Sequence, residues 1–140
     1  MLRGMTQTRR ELIQAFVPNS PLVGLLGIEL AEVETDRAVL RLPFRPELAT
    51  MGDVVHGGAI AALLDTASMA AAWSDDTVPE ALAGATVSMS VDYVAAARGV
   101  DLTATGRAVR RGRSLCFCEV EVTQPDGGVI AKGLAVHRFG

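Results

Sequence analysis

Aromatic side chains are scarce, 4 % of the 140 residues. That leaves no platform on which bases could stack. An excess of positive charge is also missing: 13 Lys and Arg stand against 16 Asp and Glu, a net charge of −3. The balance carries no footprint for nucleic acid or an anionic membrane, and neither is expected as a partner. Cysteine is confined to Cys116 and Cys118. Two cysteines on one strand face do not pair easily, and no second Cys/His pair is present to complete a zinc site. They read as small core side chains in a reducing cytoplasm. No apolar run reaches the roughly 18 residues of a membrane span, since the stretch 58–73 is shorter and carries Asp65 and Ser68. The opening "MLRGMTQTRRELIQAF" is too charged and too weakly apolar for a signal peptide. Repeats, low-complexity tracts and long linkers are absent. The expectation is a single cytoplasmic domain spanning 1–140, with 1–20 as an N-terminal helix and lead-in.

What is present is apolar patterning, 49 % of the chain. "TQTRRELIQAFVPNSP" predicts a short first helix ended by Pro18 and Pro21. "GIELAEVETDRAVLRLPF" predicts a hairpin turning at Thr35-Asp36-Arg37, with Ile28, Leu30 and Glu32 on one face. Residues 57 to about 73 predict one long helix whose apolar face is Ile60, Leu63, Leu64, Ala67 and Ala71. Asp65 falls on another stripe, with Gly58, Ala61, Ala62, Ser68, Met69 and Ala72. These residues are mostly small and admit close approach by a partner helix, a strand or a ligand. "ATVSMSVDYVAAA" alternates, with Thr86, Ser88, Ser90 and Asp92 on one face. Three further strands follow, broken at Arg111-Gly112-Arg113 and at Pro125-Asp126-Gly127-Gly128. The simplest arrangement is α+β, one antiparallel sheet wrapped around a single long helix.

The stretch "GDVVHGGAIAALLDTASMAAAW" raises the functional question. A helix N-terminus presents unpaired amides and partial positive charge. Glycine there lets a ligand approach, so the Gly57 amide suits an oxygen that gains negative charge during reaction. Asp65 has the chemistry of a general base or a nucleophile, and burial would raise its pKa. An acyl thioester suits this sparse set, because a thiolate leaves without a strong general acid. Gly57 and Asp65, however, are separated by ~12 Å along one helix. Either one of them is irrelevant, or a second chain completes the site across a two-fold axis. Each residue also has a structural reading: Gly57-Gly58 as a tight turn, His56 as a helix cap, Asp65 as a polar dimer contact, Thr86 as an ordinary strand hydroxyl. The run Arg110-Arg111-Gly112-Arg113 likewise reads as a solvated hairpin end.

"VVHGGAIAALLDTASMAAA", with "VSMSVDYVAAARG", "ATGRAVRRGRSLCFCEVEV" and "DGGVIAKGLAVHRF", resembles the hotdog-fold acyl-CoA thioesterases of the phenylacetate-degradation (PaaI) type. The resemblance covers about residues 20–139. It implies a hotdog fold, a homodimer often paired into a homotetramer, and acyl-CoA hydrolysis without metal or cofactor. Carried over, the carbonyl-polarising amide is that of Gly57, after His56 and beside Gly58. The carboxylate acting from the neighbouring subunit is Asp65, and a hydroxyl that helps position water is Thr86. Many relatives have Asn or Gln where this chain has Thr50. Arg111 and Arg113, and more weakly Arg98, become candidates for the phosphates of coenzyme A. Met51, Met69, Met89 and Trp73 are candidates for lining an acyl pocket. The competing readings are an acyl-thioester hydratase or dehydratase of the same fold and a non-catalytic acyl-CoA-binding dimer.

Overall fold

The computed structural model describes residues 6–139, so the first five residues of the N-terminal helix and lead-in expected over 1–20 lie outside the described residues. Thr8 opens α1 (Arg9–Asn19). Its hydroxyl accepts from the Glu11 amide, and the Glu11 carboxylate accepts from the Thr8 amide. This reciprocal cap satisfies donors of the first turn. Pro18, expected to end the helix, lies within its last turn. At that position its missing N–H forgoes a single bond, and the Ser20 amide closes the end on the Val17 carbonyl. Pro21 then starts a separate short helix, α2 (Pro21–Leu26), where a first-turn proline is well tolerated.

The hairpin of β1 (Glu29–Glu34) and β2 (Arg37–Leu42) forms as expected around Thr35-Asp36. A bulge between Leu30 and Glu32 corrects its face assignment. Leu30 and Val33 pack against the core. Glu32 is exposed and pairs with Arg37 at 2.8 Å. A second, very short hairpin, β3 (Ala49–Met51) with β4 (Val54–Val55), was not legible in the sequence. Elements of two or three residues leave no alternation to read.

The long helix is α3 (Gly57–Ala72). Four strands follow it: β5 (Gly84–Tyr93), β6 (Leu102–Arg111), β7 (Leu115–Thr123) and β8 (Val129–Phe139). Six strands form one antiparallel sheet in the order β1-β2-β6-β7-β8-β5, curled around α3. Ile60, Leu63, Leu64, Ala67 and Ala71 are all buried, as the periodicity predicts. Each fully buried leucine contributes roughly 1.5–3 kcal/mol. Helix and sheet approach so closely that a Cβ on Gly106 would sit 2.6 Å from the Ala67 carbonyl oxygen. Cys116 and Cys118 are free thiols in this core. Ser68 and Ala72, grouped with Asp65 by spacing, are also fully buried. The sheet curls far enough around α3 to reach beyond its purely apolar face.

Strand β5 has its own bulge. Thr86 pairs with His137 and Ser88 with Val136, so Val87 is the extra residue. The expected grouping of Thr86 with Ser88, Ser90 and Asp92 is therefore wrong. One inserted residue turns Thr86 toward the helix and leaves Ser90 and Asp92 on the outer face beside Arg107 and Glu119.

Candidate active site

The first turn of α3 is accounted for donor by donor. The Ala59 and Ile60 amides both reach the His56 carbonyl, at 3.0 and 3.2 Å. The Gly58 amide donates to His56 Nδ1 at 2.7 Å. Of these first four amides, only that of Gly57 has no partner among the described residues. His56 is thus the helix cap, with its ring turned back over Gly58. The Tyr93 hydroxyl donates to the Gly57 carbonyl at 3.0 Å. Its ring lies 3.3 Å from where a Cβ on residue 57 would be. A Cβ there would press on the ring by a few tenths of an ångström, so glycine leaves room for Tyr93 as well as an open amide.

Two turns later the Asp65 carboxylate is half-buried. Thr86 Oγ1 donates to its Oδ1 at 2.8 Å, the one hydrogen bond to this carboxylate among the described residues. Behind Thr86 sits His137 of β8, 2 % exposed. Its Nδ1 faces Thr86 Oγ1 at 3.4 Å, and its Nε2 meets Ser68 Oγ at 2.8 Å. Ser68 also reaches the Asp65 main-chain carbonyl at 2.8 Å. One proton arrangement satisfies both Ser68 contacts. In it Nε2–H donates to Ser68, and Ser68 donates to the carbonyl of Asp65. Burial pushes the His137 pKa below its ordinary value, with the Asp65 charge opposing that shift. The neutral ring is the form this pocket favours.

His137, Ser68 and Tyr93 were not singled out from the sequence. A signal existed for His137, a polar residue on the inward phase of a strand that also buries Ala131 and Ala135.

The remaining candidates are dispersed. Arg111 does not hold its guanidinium out for a phosphate. Its Nη2 donates to Asp36 at 2.7 Å, and its Nη1 donates to the Ala72 carbonyl at the end of α3. A cation there satisfies helix carbonyls and opposes the dipole. Arg113 is exposed in the β6–β7 turn. Arg98 is exposed beside β4, through a bridge to Val54. Thr50 is the bulged, exposed residue of β3. Met69 and Trp73 border a cavity next to Thr86, whereas Met51 and Met89 do not. No helix among the described residues is long and apolar enough to cross a membrane.

Residues 52–131 match the model of the thioesterase superfamily. A protein of Halobacterium salinarum carrying an esterase name is 35 % identical over 117 residues, 81 % of this chain and 77 % of its own. Human acyl-coenzyme A thioesterase 13 is 28 % identical over 143 residues, 99 % of each chain. The structure of the E. coli PaaI protein of the phenylacetic acid degradation operon superposes with a TM-score of 0.79, covering 91 % of this chain and 89 % of that one. At 20 % identity that likeness speaks for the fold alone. With the family match extending over more than half its length, the chain belongs to the thioesterase superfamily and is a hotdog-fold thioester hydrolase.

Proposed function

We propose that the protein is a cytoplasmic acyl-CoA thioesterase acting as a homodimer, paired further into a homotetramer. Each centre would join Gly57 of one subunit to the partner subunit's Asp65. The observation that carries this reading is the unpartnered Gly57 amide at the start of α3. Support for a shared centre comes from distance and from the sheet edge. Gly57 and Asp65 of one chain are ~12 Å apart along α3, too far to serve one carbonyl. Strand β5 ends the sheet, and nine of its ten residues are exposed. A long exposed edge calls for cover. Two β5 strands meeting antiparallel about a two-fold axis would extend the sheet and set two α3 helices side by side. The stripe of exposed Gly58 and half-buried Ala61, Ala62 and Asp65 suits that approach. The name of the human relative supplies acyl-CoA as the substrate class.

In this mechanism the thioester carbonyl accepts from the Gly57 amide. Asp65 Oδ1 is held by Thr86, which leaves Oδ2 for a water molecule. The water oxygen attacks the carbonyl carbon, and its proton passes to Asp65. The resulting oxyanion stays on Gly57. The C–S bond then breaks, and the proton on Asp65 neutralises the departing thiolate, whose pKa near ~8.5 makes it a good leaving group. Thr86 thus acts on the carboxylate rather than on the water itself. Thr50 adds no amide donor, so Gly57 carries the oxyanion; one such donor is worth roughly 3–4 kcal/mol of barrier. The hydratase reading needs a histidine free to act on substrate, and the His56 ring is engaged with Gly58.

A free-thiol assay across acetyl-, octanoyl-, phenylacetyl- and hydroxybenzoyl-CoA tests the proposal. Release from at least one is expected. Release from none, or hydration of an enoyl-CoA with CoA still attached, would overturn it.

A further inference from the structure

We infer that the apolar pocket beside Thr86 receives the acyl chain, and that helix α1 forms a wall of it that limits chain length. The inference rests on the thioesterase reading above and deepens it to a substrate class, uncharged apolar acyl groups long enough to fill the pocket. The pocket measures about 370 Å³, toward the low end of the roughly 300–1,000 Å³ typical of small-molecule sites. Its wall includes Thr86 and His137, so it is continuous with the hydrogen bonds that hold Asp65. The rest of the wall is apolar and comes from three separate elements. Met69 and Trp73 come from the end of α3, Leu12 and Phe16 from α1, and Leu82 from the approach to β5.

The lining selects the occupant. Among its residues only His137 can ionise, and burial disfavours its charged form. A chain ending in a carboxylate finds no cation there. A saturated chain gains about fourfold per methylene buried. Among the described residues Phe16 and Leu82 are 57 % and 61 % exposed and form an apolar rim to the pocket. The other large groove, on the outer face of the sheet, is walled by charges such as Arg107, Glu119 and Lys132 and offers an acyl chain nothing comparable.

Ala15 lines the same pocket from an exposed position on α1, so Ala15→Phe narrows the space from the α1 side while leaving the Asp65 and Thr86 side chains in place. Thiol release would be measured with acetyl-, butyryl-, octanoyl- and decanoyl-CoA. The expectation is a fall of at least about tenfold in kcat/KM for decanoyl-CoA, with acetyl-CoA within about twofold of wild type. Phe16→Ala, which opens the wall, should move the preferred substrate toward longer chains. Equal losses on short and long chains, or an unchanged length profile in both variants, would overturn the inference. Binding gives a readout independent of turnover, because Trp73 is the one tryptophan in the chain. Decanoate should change its emission saturably in the wild type and about tenfold more weakly in Ala15→Phe. If no thioester is cleaved, the thioesterase reading fails, yet a saturable Trp73 response still supports the pocket. Turnover with a flat Trp73 response to decanoate overturns the pocket and leaves the thioesterase reading standing.

Discussion

Thr86 Oγ1 donates to Asp65 Oδ1 across 2.8 Å, joining the middle of the central helix to the edge strand of the sheet. The two residues are 21 positions apart in sequence. A bulge at Val87 makes the contact, since unbroken alternation would leave Thr86 on the same face as Ser88 and Ser90. This bond fixes one carboxylate oxygen and leaves the other open.

Asp65→Asn should reduce thiol release by at least ~100-fold, because the amide keeps the size of the carboxylate and loses its basicity. Fold and subunit association should be unchanged by circular dichroism and gel filtration. Near-normal turnover would remove Asp65 from the mechanism.

Thr86→Val should cost on the order of tenfold in kcat, since the hydroxyl orients the carboxylate rather than reacting itself. Thr86→Ser retains the donor and should recover most of that loss. If valine and serine behave alike, the hydroxyl has no part in orienting Asp65.

A shared centre can be tested by subunit mixing. Asp65→Ala and His56→Ala, each inactive alone, would be co-expressed. A mixed dimer has one centre with both ends intact and one with neither. Random pairing makes half of the dimers mixed, so activity should return to about a quarter of wild type. No recovery, with mixed dimers shown by mass spectrometry, would mean that each chain carries its own complete centre.

His137 predicts a pH dependence of stability. Its pKa in the folded chain is below the ordinary value of 6.5 because it is buried, and Asp65 only partly offsets this. The unfolded chain therefore takes up a proton that the folded chain resists. The stability contribution is complete above pH 6.5 and is lost as pH falls toward the folded value, by up to ~1.4 kcal/mol per pH unit. His137→Gln should flatten denaturation midpoints measured below pH 6.5. An unaltered pH slope would show that His137 does not contribute to acid sensitivity.

Arg111→Ala should lower stability and spare substrate affinity. It removes charged hydrogen bonds to Asp36 and to the carbonyl end of α3, a loss of about 2 kcal/mol. The melting temperature should drop by several degrees, with KM for acyl-CoA nearly constant. A raised KM without loss of stability would restore the phosphate-binding role.

Local sequence determined whatever depends on neighbours along the chain. The 3.6-residue repeat of Ile60, Leu63, Leu64, Ala67 and Ala71 marks the buried helix, because burial must follow the helix period. The two hairpin breaks after β6 and β7 were legible for a similar reason, since turn residues act locally. His56-Gly57-Gly58 marks a helix start with an open amide by residue type alone. Tertiary structure alone decided what depends on register. Each bulge, at Ala31 and Val87, inserts one residue and inverts the faces that alternation assigns beyond it. Residue types do not reveal such insertions, because pairing with a distant strand creates them. The use of Arg111 was hidden for the same reason. Its position at the end of β6 brings it to the C-terminus of α3 only after the sheet has closed around the helix, and the carbonyls of Ala71 and Ala72 then hold it there.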